Sequence, residues 1–296
     1  MSLSKHFLQV LSIADPSFDQ EQTARYRLSV RIAADGLSFC LADPDRNTYT
    51  QLASFEKSAY NGVRRLEKET VDEMFEDVIA LHPWLKGKFA SVNILFEDCR
   101  FTLLPLPLFD QTNYQSVYKY NFTNTTNEEV LYTSLPVSEA VLLYGVPEGL
   151  VDSLKKRYPI VRFYHSNFPL LTAFIHKYRN VDNQGSVLAN FRNGAMDILI
   201  LNERKLQLLN SYTCKSDEDA LYFLIFAVEQ SGLNPETVEL HLSGMIERDS
   251  SSHFLIKKYI RNVRLINRND DFKYSYAFER IEGHQFFNLL NLNLCE

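Results

Sequence analysis

Read for the alternation of apolar and polar residues, the chain begins with a polar stretch and then gives three short apolar runs, at residues 28–32, 37–41 and 48–55. Turn residues separate them, first Asp35-Gly36 and then Asp43-Pro44-Asp45-Arg46-Asn47. Glycine tolerates the backbone that tight turns demand, so the runs predict a three-stranded antiparallel meander. Val71, Phe75, Val78 and Ile79 recur at helical spacing and predict an amphipathic helix over 69–81, stopped near Pro83. A strand is expected next, at 92–96. The pattern then loosens from Phe101 to about Asn127, where Pro105 and Pro107 exclude a helix through 103–109. Strands resume at 130–133 and 140–144. A helix is expected over 147–157 with Pro147 in its first turn and basic residues in its last, then a strand at 160–164 and a helix at 167–178.

At residues 180–185 the composition turns polar, and beyond it the second half of the chain repeats the opening. Strands are expected at 187–191, 196–201 and 206–213, with turns at Arg192-Asn193-Gly194 and Asn202-Glu203-Arg204-Lys205. Ser216 has the chemistry to cap a helix over 217–230 that Gly232 closes. A buried strand at 238–242, a helix at 252–259 and a strand at 263–266 complete the repeat. The tail, 286–294, alternates Leu and Asn and reads either as an edge strand able to pair with a partner or as a fraying helix. The repeat divides the chain into residues 1–181, with an insertion at about 97–135, and residues 182–296. In each half a meander feeding helix–strand units gives a mixed five-stranded sheet flanked by helices, an α/β fold.

Composition narrows the chemistry. The chain has 296 residues, 45% hydrophobic and 23% charged, which excludes fibrous and wholly disordered classes. With only 10 Gly and 10 Pro there is little room for Gly-rich phosphate loops, and no G-x-x-x-x-G-K-[ST] or G-x-G-x-x-G occurs. A net charge of −6 gives no global field for nucleic acid or anionic lipid, and the basic clusters at Lys155–Arg157 and Lys257–Arg264 read as solvated helix faces. Cys40, Cys99, Cys214 and Cys295 form no C-x-x-C pair, and the seven histidines form no H-x-x-x-H, so a paired-ligand zinc site is unsupported. His165 and His241 read as buried structural histidines. Asp15, Asp19 and Glu21 read as a solvated acidic arm. No secretory signal or membrane-length apolar run stands out, which predicts a cytoplasmic protein. Tyr114, Tyr118, Tyr120 and Phe122 cluster in the insertion, and a subdomain core accounts for them better than a binding surface does.

Two such halves in tandem resemble the actin-like ATPase fold, which is two ribonuclease-H-like domains. The insertion in the first half is similar to that of the pilus-assembly and type II secretion members, and the chain resembles an uncharacterised bacterial family of this fold. In active members each half opens with a strand, an Asp-x-Gly turn and a second strand; the Asp holds magnesium through waters and the Gly admits the phosphates. A later strand ending in Gly-Gly supports adenosine. Set on that pattern, the first turn here reads Ala33-Ala34-Asp35-Gly36-Leu37-Ser38, with Ala34 at the place of the Asp. The second reads Asn190-Phe191-Arg192-Asn193-Gly194-Ala195-Met196-Asp197, with Asn190 at the Asp, Arg192 at the Gly and Asp197 alone retained. In Ser243-Gly244-Met245 one Gly of the pair remains and Met245 replaces the other.

The resemblance therefore implies a pseudo-ATPase, a non-catalytic scaffold or interaction protein with protein partners and no resident cofactor, metal or nucleic acid. No catalytic residue is assigned. Nucleotide-binding candidates are Asp35, Gly36, Ser38, Asn190, Asp197, Ser243 and Gly244, placed by the resemblance at an interdomain cleft. Two other readings stay open: a divergent ATPase or kinase using ATP with magnesium on displaced ligands such as Asp35 and Asp197, and a nucleotide-binding switch without turnover.

Overall fold

Tight turns and almost wholly buried runs build the first sheet. The computed structural model describes residues 7–58, 65–98, 100–178, 185–202 and 205–295. The chain forms two units, residues 1–168 with 270–280, and residues 169–269 with 281–296. The polar interval at 180–185 lies, but for Gly185, outside the described residues, as do Glu203 and Arg204 of a turn and Cys99.

In the first unit, β1 (Phe7–Ala14) leads through a 3-10 turn (Gln20–Arg25) into the meander β2 (Arg27–Ala33), β3 (Gly36–Asp43) and β4 (Thr48–Lys57). Next come α1 (Lys68–Leu81), β5 (Ser91–Glu97) and β6 (Phe101–Pro105). After these come α2 (Tyr114–Asn121), β7 (Glu128–Leu135), β8 (Ala140–Pro147), α3 (Leu150–Arg157) and β9 (Val161–His165). The main sheet has the order β1-β4-β3-β2-β5-β9, and a short strand, Lys273–Tyr274, adds to β4. The meander is antiparallel, whereas β5 and β9 join parallel to β2. On one face Phe39 and Phe55 pack with His82 and Trp84, ring centroids 5.3 to 6.3 Å apart.

Two expectations for the N-terminal region are corrected. The polar opening contains β1, paired antiparallel with β4. A bulge at Val10 shifts the register midway, so Phe7, opposite Lys57, and Ile13, opposite Leu52, lie on opposite faces of the sheet; both are buried while Leu8 and Val10 are exposed. Nor is the acidic run a loose arm. Asp19 caps the 3-10 turn by accepting from the Glu21 amide, and Asp15 accepts from the Ser17 amide at 2.7 Å and from the Ser275 hydroxyl. Burial alone would raise the Asp15 carboxyl, but hydrogen bonds from Ser17 and Ser275 outweigh it and hold it below its usual range.

Strands β6, β8 and β7 form a separate three-stranded sheet with α2 on one face. Tyr118, Val130, Val141 and Leu143 form its core with Phe109, Tyr114, Val117 and Phe122 packed around them, while Tyr120 is solvent-exposed. The aromatic cluster is a subdomain core. The loop expected over this stretch contains α2, whose Tyr, Val and Tyr at 114, 117 and 118 have helical spacing. Pro105 and Pro107 do not bar structure altogether. They sit at the end of β6 and within a single 3-10 turn, Leu106–Leu108, where missing amide donors are tolerated. Pro147 ends β8 opposite Glu128 instead of opening a helix, and Gly149, at φ +72°, redirects the chain into α3.

Helix α4 (Asn167–Tyr178) leads into the second unit. Its elements are β10 (Ser186–Arg192), β11 (Ala195–Asn202), β12 (Lys205–Thr213), α5 (Asp217–Gln230), β13 (Glu239–Gly244), α6 (Ser251–Tyr259) and β14 (Asn262–Leu265). The sheet order is β12-β11-β10-β13-β14, with the same sense of pairing as β4-β3-β2-β5-β9 in the first unit. Val187, Ala189, Ile198, Ile200, Leu240 and Leu242 meet Leu224 and Val228 of α5 and Ile256 of α6 in one apolar core. Ser216 and Ser250 cap the two helices by accepting from the Asp219 and His253 amides.

Of the two readings of the tail, the helical one holds and the edge strand does not, and the helix is buried rather than fraying. A short helix, α7 (Phe287–Leu290), and a 3-10 turn (Leu292–Cys295) bury Leu289, Leu290 and Leu292. The asparagines between them are buried as well: Asn288 accepts from the Leu289 amide, and Asn291 donates to the Phe287 carbonyl at 2.7 Å. They satisfy backbone groups at the turns, so no alternating face is left to dock elsewhere.

Candidate functional site

Each unit carries its candidate residues where the central strand enters the first hairpin. In the first unit Ala34-Asp35 is a two-residue loop closed by the pair Ala33 and Gly36. A Cβ on Gly36 would stand 2.0 Å from the Phe55 carbonyl oxygen, so only glycine fits against that strand. Ser38 is buried, its hydroxyl 2.9 Å from that of Ser54. Asp35 is also buried and accepts from the Arg31 guanidinium at 3.1 Å. The same Arg31 nitrogen donates to Glu97, at the end of β5, at 2.5 Å. One cation thus bridges two carboxylates at the mouth of the hairpin.

In the second unit the loop is Asn193-Gly194, closed by Arg192 and Ala195. Cross-strand register places Asn190 beside Asp197 on β11 and Ser243 on β13. Arg192 grips Asp197 with two charge-assisted bonds, Nε to Oδ2 at 2.8 Å and Nη2 to Oδ1 at 2.7 Å. Asn190 Nδ2 donates to Asp197 Oδ2 at 3.0 Å, and the Ser211 hydroxyl of β12 donates to Oδ1. Ser243 Oγ in turn donates to Asn190 Oδ1 at 3.0 Å. An ionised carboxylate offers about four lone-pair sites, and here four donors occupy them. The Asp197 side chain is 1% exposed and that of Arg192 9%. Gly244 closes the end of β13 at φ +83°, where a Cβ would stand 2.1 Å from the Phe191 carbonyl oxygen. Met245 donates its amide to that same carbonyl, and 56% of the residue is exposed.

Counting from the closing pairs changes how the two turns correspond. Asp35-Gly36 and Asn193-Gly194 are offset by one, because Asp35 matches Gly194 and Gly36 matches Ala195. Two residues before each closing pair stand Arg31 and Asn190, and their cross-strand partners are Ser38 and Asp197. The first-unit counterpart of Asn190 is therefore Arg31, not Ala34. Asp35 pairs within its own unit with Arg31, and Asn190, Asp197 and Ser243 form one network. Sequence reasoning missed Arg31 and Glu97. A visible signal was a charged residue inside an otherwise apolar strand, Leu28-Ser29-Val30-Arg31-Ile32, a position that demands a buried partner.

The two singled-out histidines are structural. His165 Nδ1 accepts from the Asn167 amide, which leaves Nε2 to donate to the Asp98 carbonyl at 3.2 Å. His241 lies 3.0 Å from the Tyr178 hydroxyl. Burial, aided by Arg264 and Lys177, pushes His241 down to about 4, and burial pushes Tyr178 up to about 12. Among the described residues no three His, Cys, Asp or Glu gather as a metal site, and no helix is long and apolar enough to cross a membrane.

Two units of the same strand order, each opening on a hairpin of this kind, define a protein of the actin-like ATPase fold. A protein of unknown function with that fold from Bacteroides thetaiotaomicron shares 26% identity, with a TM-score of 0.76, covering 94% of this chain and 99% of its own. The PilM–PilN type IV pilus biogenesis complex contains a chain 10% identical, with a TM-score of 0.61, covering 92% of this chain and 98% of that one. No curated protein matches. The chain belongs to the DUF3822 family, described as a protein of unknown function, whose model matches residues 15–263.

Proposed function

We propose that this protein is a non-catalytic scaffold on the actin-like ATPase fold, acting through protein partners rather than through nucleotide turnover. The observation that carries the reading is the saturation of Asp197 by Arg192, Asn190 and Ser211. A magnesium ion held through water needs a carboxylate with open lone pairs, and phosphoryl transfer depends on such positioned charge. Here an arginine of the same hairpin takes that place. In the first unit Arg31, the counterpart of Asn190, places a cation on the hairpin that is paired with both Asp35 and Glu97. The residues present do not fit a magnesium–ATP group. The solved pilus biogenesis complex places the same fold in an assembly, which supports a partner-binding role for this chain.

The test is thermal unfolding of the full chain, with isothermal calorimetry, in millimolar ATP with and without magnesium. The expected result is no magnesium-dependent rise in midpoint, no heat of binding and no phosphate release. Ligand at about 100 times its Kd would add about 2.7 kcal/mol of stability. A rise of that order accompanied by hydrolysis would overturn the proposal in favour of a divergent ATPase. A rise without hydrolysis would make the protein a nucleotide-binding switch.

A further inference from the structure

We infer that the free edge of the second unit's sheet is a self-association surface, where β12 pairs antiparallel with β12 of a second copy and the two α5 helices pack across the seam. β12 ends its sheet, and among the described residues no strand lies beside its second row of backbone groups. An extra residue, Gln207, bulges from β12 and leaves Leu208–Thr213 as the regular stretch available for pairing. Edge strands of this length are usually covered or charged, yet the only charge on this one is Lys205, at its start.

The flank of α5 above that edge is aromatic. Tyr212 of β12 stacks on Phe223 at 4.7 Å, which sets the side of α5 that looks over the edge. Asp217, on the opposite flank, is turned toward α6 by hydrogen bonds from Ser251 and Ser252. The edge-side row is Asp219, Phe223, Phe226 and Gln230, at helical 4-3-4 spacing. Phe226 is 46% exposed, and Tyr222, stacked on it, is 63% exposed. Such side chains on the outside of a helix leave apolar area in water that a second helix would cover.

Spacing and charge both favour a second copy as the occupant. Strands pair about 4.8 Å apart, and α5 packs over β11 and β12. Continuing the sheet through a two-fold axis at the β12 edge therefore puts the two α5 helices on one face with their axes about 10–14 Å apart, within reach of each other's aromatic side chains. Antiparallel pairing also brings the exposed Lys205 of each copy to the far end of the other copy's strand. There α5 opens with Glu218 and Asp219 beside the single cation Lys215. The contact is isologous and closes as a dimer.

Sedimentation velocity on the full chain, up to about 100 μM, tests this. The expected species has twice the 34.4 kDa mass of one chain. Phe226→Glu, on an exposed helix face, should raise the dimer Kd at least about tenfold with an unchanged circular-dichroism spectrum, because it puts like charges at the seam. Lys205→Glu should weaken the dimer about two- to fivefold, and Lys205→Glu with Glu218→Lys should restore it. A monomeric wild type at every concentration overturns the inference. A dimer untouched by Phe226→Glu, or a charge swap that rescues nothing, overturns it equally, since the association would then use another surface.

Discussion

Replacing Arg192 by methionine tests the site most directly, because it removes the cation and keeps the aliphatic bulk. Asp197 would remain 1% exposed, with Asn190 and Ser211 as its only donors. Removing one partner of a buried ion pair costs about 3–5 kcal/mol, since the remaining charge is left without compensation. Two of the four hydrogen bonds survive, so the lower end, about 3 kcal/mol, is expected. At about 4 °C per kcal/mol, between the values for about 60–100 and for about 150–250 residues, the second unit should melt about 12 °C earlier. Calorimetry reads the midpoint, and hydrogen exchange of β10 and β11 amides assigns the loss to this sheet. Combining Arg192→Met with Asp197→Asn removes the stranded charge and should recover at least half of the loss. If Arg192→Met costs less than about 1 kcal/mol, the value of an exposed pair, the network does not hold the hairpin as described. The reading of Asp197 as fully engaged would then fail with it.

His241 predicts a pH dependence. Its folded pKa of about 4 lies below the ordinary histidine value of 6.5, so the unfolded chain takes up the proton first on acidification. The stability it supports is complete above about 6.5 and is lost as pH falls toward 4, by an amount on the order of 3 kcal/mol. In His241→Gln, which still bonds Tyr178 but cannot titrate, denaturation midpoints should fall less steeply over that window; equal slopes would refute the assignment. Gly244→Ala should cost at least about 2 kcal/mol in urea denaturation, because the new Cβ meets a backbone carbonyl at a positive φ. A neutral effect would mean that the end of β13 can move away from Phe191.

The meander turns, α5 with its Ser216 cap and α4 over Asn167–Tyr178 followed from residue type and spacing alone, because hairpin loops, caps and amphipathic periods are decided within a few residues. So did the repeat of strand order that marks the fold. Elements whose pattern is broken locally were not readable in the same way. β1 hides behind its bulge, and the Leu-Asn tail imitates alternation while its asparagines bond the backbone. The candidate site divides along the same line. The loss of the Asp-x-Gly pattern was visible in the primary structure. Tertiary structure decided that Arg31 stands where Asn190 does in the other unit, and that Arg31 reaches Glu97, 66 residues away in the chain. It also brought Ser211 to Asp197. The physical reason is that pairing between strands distant in the chain, such as β2 with β5, is set by no local turn, yet it determines which buried charges meet, and a buried charge persists only where a partner has been brought to it.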